Sequence, residues 1–405
     1  MFSDKVNAWM STIRIEDPDR KASVMESSVT AMISGSGTLG ERLSSLHQQL
    51  LETVPSVDRI ACAIYESSDG SLKTFINSTR TGKAIAGYEY KLADSHSLSE
   101  LARTGNFRVL DDIASAITAD TAHSKWLLEQ GYQSSFTVPL FDSQALLGFV
   151  FFDSVRTGAF PPPVQRDLVL YSSLIGMSIT GELTAVRTLV EATRVARALT
   201  VMRDFETGRH LDRMARYSRI IARKVAPRHG RDDEFIEMVY LFAPLHDIGK
   251  IGIPDRILLK QGPLDPEERR IMESHVEKGV QMIDRTIGTS GTHQLPSSQV
   301  LHNIVSCHHE LLDGSGYPQK RMGADVPLEG RIVTVSDIFD ALTSRRPYKD
   351  SWSNEQAFAE LRRMVALGKL DGECVEALID SPDEVREVQQ RFGDHMDDAE
   401  QARPA

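Results

Sequence analysis

The side chains best suited to chemistry in this sequence are histidines and carboxylates concentrated in its second half. His246 and Asp247 stand together in Leu245-His246-Asp247-Ile248-Gly249-Lys250, directly after the nearly apolar stretch Tyr240 to Leu245. That stretch predicts a buried helix, and a buried histidine beside a buried aspartate is costly unless the two are paired or coordinated. Alone, the dipeptide reads better as a hydrogen-bonded core pair. Other residues change the weighting. Glu206 and His210 are four apart and share a helical face. His275 lies in Glu273-Ser274-His275-Val276-Glu277, His308 and His309 are adjacent, and Asp337 closes the apolar run Ile332-Val333-Thr334-Val335-Ser336. Five histidines and several acids in buried-looking helices exceed what an ordinary core satisfies. Imidazoles and carboxylates without thiolates suit iron, manganese or zinc in a multinuclear site.

The bulk composition sets the frame for these residues. The 405 residues suggest two or three domains. With 41% hydrophobic and 25% charged residues, the composition is that of a soluble globular protein. The formal net charge of -11 argues against broad binding to DNA, RNA or anionic membrane, although local metals and basic residues can still hold a small phosphate ligand. Cys62, Cys307 and Cys374 form no CxxC pair, so a disulfide framework and a thiolate zinc site are not expected, and a reducing compartment fits. No apolar signal segment opens the sequence, and its longest apolar run, Ala145 to Phe152, is too short to span a bilayer. A cytoplasmic location follows as the expectation.

The elements that would position the chemistry fall into two patterns. A helical lead-in occupies residues 1–40. A helical stripe then runs through Leu43, Leu46, Leu50 and Leu51. Arg59 to Tyr65 and Leu72 to Ser78 read as strands around the turn Asp69-Gly70, and Ser135 to Phe141 and Leu146 to Asp153 as a second hairpin, central in a sheet. Pro161-Pro162-Pro163 precedes a helix from about Val164. Helix, hairpin, irregular middle, hairpin and helix make an α+β domain. Through SSFTVPLFDSQALLGFVFFDS and the helix after it, residues 41–181 resemble a GAF domain. The residue set associated with cyclic-nucleotide-binding members is not found, so no ligand carries over. Trp126 and Tyr132 could line a pocket there, but packing is the more frequent explanation for both. Residues 182–204 read as a linker helix with two offset apolar stripes, which leaves open a homodimer helix or a connector packed on its own chain. Beyond it the pattern is all-helical to about Asp380, and a polar tail, 381–405, is expected to fray.

The pieces HDIGKIGIPDRILLKQGPL, HHELLDGSGYP and VSDIFDALTSRRPYKD resemble the HD-GYP domain, a subgroup of the HD metallohydrolases, over residues 205–380. The resemblance implies a helical bundle holding two or three divalent ions, iron or manganese. It implies His246, Asp247, His275, His308, His309 and Asp337 as ligands of a two-metal core, with Asp247 bridging, and Glu206 and His210 completing a third site. Lys250 matches a lysine near the scissile phosphate, Gly314, Gly316, Tyr317 and Pro318 the GYP loop, and Arg346 and Lys349 basic residues that grip substrate. Two ions roughly 3.5–4 Å apart can share a hydroxide of lowered pKa for in-line attack on phosphorus, with no covalent protein intermediate.

The activity so implied is hydrolysis of cyclic di-GMP to pGpG and onward to GMP, regulated by the GAF domain. Two alternatives stand beside it. One is a phosphodiesterase for mixed cyclic GMP-AMP. The other is a non-catalytic effector that binds the dinucleotide and recruits GGDEF-domain proteins, which the filled ligand positions disfavour. A general nucleotide phosphohydrolase is disfavoured by the intact GYP segment. Departures from the family pattern are Leu311-Leu312 after the histidine pair and Arg345, where an aspartate is common. Asp313 reads as a loop-organising acceptor, Asp340 as a partner behind the ligands, His302 as a supporting or surface residue, and His47 as an ordinary one.

Overall fold

The computed structural model describes residues 18–30, 32, 37–117, 122–142, 144–200, 208–289, 297–344 and 351–393, with side chains described except at 18–22, 25, 122–123, 185–200, 208, 286–289 and 297. The chain forms two compact units with their boundary between Thr180 and Gly181.

The first unit contains α1 (Pro18–Val29), α2 (Leu39–Leu50), β1 (Arg59–Glu66), β2 (Ser71–Thr79), β3 (Glu89–Lys91), α3 (His96–Thr104), β4 (Arg108–Leu110), α4 (Ile113–Ala116), α5 (Ala122–Glu129), β5 (Ser134–Asp142), β6 (Ala145–Ser154) and the start of α6 (Pro162–Thr200). The expected α+β class is observed. Both hairpins form where short apolar runs meet turn residues, and all six strands pair antiparallel in the order β3-β2-β1-β6-β5-β4. Leu39, Leu43, Leu46 and Leu50 recur at helical spacing on α2 and are fully buried. A capping box between Thr38 and Glu41 starts that helix. His47, expected to be ordinary, is a buried structural residue bonded to Ser78 Oγ at 2.8 Å and Val57 O at 3.1 Å. Trp126 and Tyr132 pack on each other with ring centroids 5.8 Å apart. The triple proline opens α6, a continuous helix of 39 residues. The stripes read in 182–204 lie mostly outside the described side chains.

Among its described residues the second unit has helices and loops but no strand, only one isolated bridge, Asp313 to Met322. Its helices are α7 (Gly208–Val225), α8 (Asp233–Phe242), α9 (Asp255–Leu258), α10 (Pro266–Glu273), α11 (His275–Thr289), α12 (Ser297–Cys307), α13 (Leu328–Thr343), α14 (Asn354–Ala366), α15 (Gly372–Ile379) and α16 (Pro382–Phe392). Residues of α7, α8 and α13 to α16 share one apolar core, among them Tyr217, Val239, Val335, Phe339, Leu361 and Leu378. This corrects the expectation of a frayed tail. Pro382 sits in the first turn of α16, where its missing N–H costs nothing. Val385 and Val388, one turn apart, are buried in that core. Residues 394–405 lie outside those described.

Candidate metal centre

The site begins where a helix stops. Pro244 cannot donate into an α-helical ladder, and α8 ends at Phe242. Two 3₁₀ turns follow, Ala243–Leu245 and Ile248–Gly252, with His246 and Asp247 between them. The single buried helix expected through this dipeptide is therefore replaced by a break, with Asp247 at φ -99° and ψ 15°. Gly249 brings the next ligand in. A Cβ there would lie 1.8 Å from His275 O, so only glycine lets the first residue of α11 pack onto this turn.

Ligand-capable atoms then converge in two groups. Asp247, His275, His308 and His309 offer one atom each within 4.8 Å of one another, and so do His210, His246 and Asp337. Asp247 links the two. Its Oδ2 is 3.1 Å from His246 Nε2, and its Oδ1 is 3.2 Å from His275 Nε2 and 3.6 Å from His308 Nε2. The rings of His246 and His308 meet edge to face with centroids 5.0 Å apart.

The orientation of the rings decides what this cluster can hold. His246 Nδ1–H donates to Ala243 O at 2.8 Å, and His275 Nδ1–H to Met272 O at 2.8 Å. His308 Nδ1–H is shared between Val305 O at 3.1 Å and Ile304 O at 3.2 Å. A carbonyl only accepts, so each Nδ1 carries the proton and each neutral ring presents the Nε2 lone pair inward. His210 Nδ1 is held the same way by Asp340 Oδ2 at 2.7 Å. Burial lowers the pKa of His308 against the opposing pull of Asp247, and lowers that of His309 further, so both favour the neutral ring that ligation requires. Burial works against ionisation of Asp247, but the ammonium of Lys250 beside it opposes burial and the carboxyl is held well below the usual range. Asp247 Oδ1 is buried and accepts no hydrogen bond. Lone pairs facing a carboxylate at these separations need a cation between them. The donor set therefore fits divalent metal.

An accessible rim stands above this buried base. Asp337, His309, Lys250 and Tyr317 are half-buried, whereas His246 and His308 are at most 1% exposed. Lys250 Nζ lies 2.7 Å from Asp247 Oδ2. Tyr317 stacks on His309 with centroids 4.6 Å apart, and burial raises its hydroxyl pKa, keeping it a donor. The loop that carries Tyr317 is pinned to the histidine pair. Tyr317 N–H donates to His309 O at 3.1 Å, and a Cβ on Gly316 would lie 2.3 Å from Leu311 N. Gly314 takes φ +76°. Asp313 organises the turn by accepting from Ser315 N at 2.9 Å and Ser315 Oγ at 2.6 Å.

Some supporting residues escaped the sequence reading. Glu310 accepts from Gln319 N at 2.6 Å and Arg321 N at 3.0 Å, tying the GYP loop back to the histidines. Thr334 Oγ donates to His308 O at 2.9 Å. Arg213 Nε donates to Asp340 Oδ1 at 2.6 Å and its Nη1 to Phe392 O at 2.9 Å, joining the partner of His210 to α16. A signal for Arg213 exists, since it lies one turn after His210 on the same face. Asp340 stands behind His210 as expected, and His302 belongs to neither ligand group. Glu206, Arg345, Arg346 and Lys349 lie outside the described residues.

Residues 184–374 match the family described as the HD domain, and the second unit carries that domain. A cyclic di-GMP phosphodiesterase of Thermotoga maritima is 41% identical over 207 residues, 51% of this chain and 53% of that protein. A 3'3'-cGAMP-specific phosphodiesterase 2 of Vibrio cholerae is 40% identical over 183 residues, 45% of this chain and 33% of that protein. The cyclic di-GMP phosphodiesterase response regulator RpfG of Xanthomonas campestris is 41% identical over 187 residues, 46% of each. The chain thus spans between a third and about half of these relatives. Among solved structures, similar ones include a phycoerythrobilin-bound GAF domain of a cyanobacterial phytochrome (16% identity, TM-score 0.32, 40% of this chain and 94% of that one). Another is the GAF domain of an Acinetobacter phosphoenolpyruvate-protein phosphotransferase (12% identity, TM-score 0.33, 42% and 98%). Among the described residues no helix is long and apolar enough to cross a membrane.

Proposed function

We propose that this chain is a metal-dependent phosphodiesterase that hydrolyses cyclic di-GMP to pGpG and on to GMP. The observation that carries the reading is the inward convergence of the Nε2 atoms of His246, His275 and His308 on the carboxylate of Asp247, each ring locked by a backbone carbonyl behind it. Asp247, His275, His308 and His309 would hold one ion, and His210, His246 and Asp337 a second, with Glu206 assigned to a third. Iron or manganese suits this thiolate-free set. Bound there, such ions supply Lewis acidity and make water a nucleophile at neutral pH.

The chain's own groups do the rest. Lys250, already at the rim, pairs with a phosphoryl oxygen and stabilises charge as it develops. Tyr317 offers a ring face and a hydroxyl donor to a nucleotide. Arg346 and Lys349 are assigned to substrate phosphate or guanine. Alanine at either position is expected to raise KM and leave metal content unchanged, and unaltered KM in both variants would remove them from the site. A cytoplasmic location, a homodimer through 182–204 and regulation by the first unit belong to the same reading, with GGDEF-domain proteins as candidate partners.

One second reading has a specific observation behind it, because relatives named for 3'3'-cGAMP match at similar identity. Both readings are tested by stripping the protein of metal, adding back iron or manganese without oxygen, and following products from both cyclic dinucleotides. Cleavage of cyclic di-GMP only on metal addition supports the main reading. Preferential cleavage of the mixed dinucleotide replaces it with the second, and cleavage of neither overturns both.

A further inference from the structure

His246, His275 and His308 are anchored by their own chain. Each donates from Nδ1 to a carbonyl three or four residues earlier, so the anchor forms with the local turn. His210 is held differently. Its Nδ1 is bonded to a side chain, Asp340 Oδ2, at 2.7 Å. The aim of its Nε2 at the group shared with His246 and Asp337 therefore depends on whatever fixes that carboxylate.

Arg213 fixes it. Its Nε donates to Asp340 Oδ1 at 2.6 Å and its Nη2 to Asp340 Oδ2 at 3.1 Å, a fork that sets the plane of the carboxylate. Nη2 also donates to Ser344 Oγ at 2.8 Å, and Nη1 to Phe392 O at 2.9 Å. One buried guanidinium thus ties α7 to α13 and to the end of α16. That end depends on α7 in turn. The last carbonyls of a helix have no partner within it. After α16 the chain leaves extended, with Gly393 at φ -68° and ψ 154°, and not in a left-handed capping turn. Arg213 takes Phe392 O, and Arg209 Nη1 donates to Gly393 O at 2.7 Å. The Arg216 guanidinium lies 4.3 Å from the centroid of the Phe392 ring. Cations suit a helix C-terminus. Near the start of α16, Arg223 pairs with Glu384 at 3.0 Å, so α16 runs antiparallel along α7. The residues that hold its end are those that flank His210.

We propose, on the metal-dependent reading given above, that Arg213 is a positioning residue for the ion of His210, His246 and Asp337, and that the docked end of α16 belongs to that ion's site. Neither ligand group contains a residue of α16. With α16 docked, Arg213 is held between Phe392 O and Asp340 and cannot leave either without breaking a buried hydrogen bond. With α16 displaced, the guanidinium loses one partner, Asp340 loses its alignment, and His210 can turn its Nε2 out of the group. His275 and His308, which serve the other ion, are anchored without α16. Coupling of this kind is reciprocal. Docking of α16 tightens one ion, and that ion tightens the docking.

The test is titration of the metal-stripped full chain with Mn²⁺ in the absence of oxygen, with free Mn²⁺ counted by electron paramagnetic resonance. His210→Ala marks the class of site that belongs to the second group. Arg213→Gln is expected to weaken that class about tenfold or more and to leave the other unchanged, the range expected when a group behind a metal ligand is removed. Phe392→Ala removes the ring beneath Arg216 and is expected to weaken the same class about threefold or more. In the unsubstituted chain, added Mn²⁺ is expected to slow amide hydrogen exchange in residues 385–393 relative to residues 373–379 of α15. That measurement decides the matter even if both variants fail to fold by circular dichroism. Unchanged affinity of the marked class in folded Arg213→Gln or Phe392→Ala, equal weakening of both classes, or exchange in α16 indifferent to Mn²⁺ would overturn the assignment. Mn²⁺ binding without these effects leaves the metal centre standing and removes α16 from it. No Mn²⁺ binding by the unsubstituted chain overturns both.

Discussion

In the second unit the buried polar atoms are aimed before any ligand arrives. His246 Nδ1 is taken by Ala243 O, His275 Nδ1 by Met272 O and His210 Nδ1 by Asp340, which leaves each Nε2 to serve one of the two adjoining ligand groups. In the first unit a cavity between the sheet and the helices α3 and α5 is built by subtraction. Ala61 and Ala63 leave space, and Arg59, Arg108 and Asp153 are among the residues that line it. The first arrangement resembles a preorganised metal centre, in which groups behind the ligands fix orientation and tautomer. The second is open space lined by mixed apolar and polar side chains, without such convergence. The two regions use glycine and alanine differently. Gly249 and Gly316 let chain segments come into contact, whereas Ala61 and Ala63 leave room beside their strand.

Substitutions can break or sharpen this contrast. Asp247→Ala has the largest expected effect, because Asp247 alone joins the two ligand groups. Turnover of cyclic di-GMP should fall below detection and metal content should drop while circular dichroism stays native. Near-normal turnover in a folded variant would place the chemistry elsewhere. Asp340→Asn comes next. It keeps the shape but weakens the bonds to His210 and Arg213, and should lower metal affinity or turnover by roughly 10–100-fold. Metal titration gives the answer, with unchanged affinity removing Asp340 from the supporting set.

Two smaller changes compare the regions by adding a small apolar group to each. Gly316→Ala adds one carbon where its nearest neighbour would be Leu311 N at 2.3 Å, so denaturant unfolding should show a loss of about 1–3 kcal/mol. Ala63→Val adds two carbons beside the cavity, and stability should hold or rise by about 0.5–2 kcal/mol. A loss at Ala63 as large as that at Gly316 would mean that the cavity wall is as tightly packed as the metal centre.

Much of the site was legible along the chain. His246, Asp247, His275, His308, His309 and Asp337 stand in long ordered motifs, and the structure brings all six together with His210. The hairpins were legible because short apolar runs bounded by turn residues are local signals. The break at Pro244 was legible in principle, but the apolar run around it reads more strongly as a helix. The helix α16 was missed because its packing rests on Val385 and Val388 within a polar stretch, and a two-residue stripe does not distinguish a docked helix from a frayed tail.

The sequence by itself determined the kind of chemistry, because ligand softness and charge are properties of residue types: imidazole and carboxylate in quantity, with no paired thiols. It also determined the α+β and all-α halves, because periodicity is a property of neighbours. Only the tertiary structure decided the partnerships. His210 joins His246 and Asp337 across more than a hundred residues of chain, Asp340 and Arg213 lock behind them, and Arg59 and Arg108 come to share a cavity with one carboxylate between them. These contacts follow from how helices and strands pack, and packing is set by shape and burial over the whole unit, which no local spacing encodes.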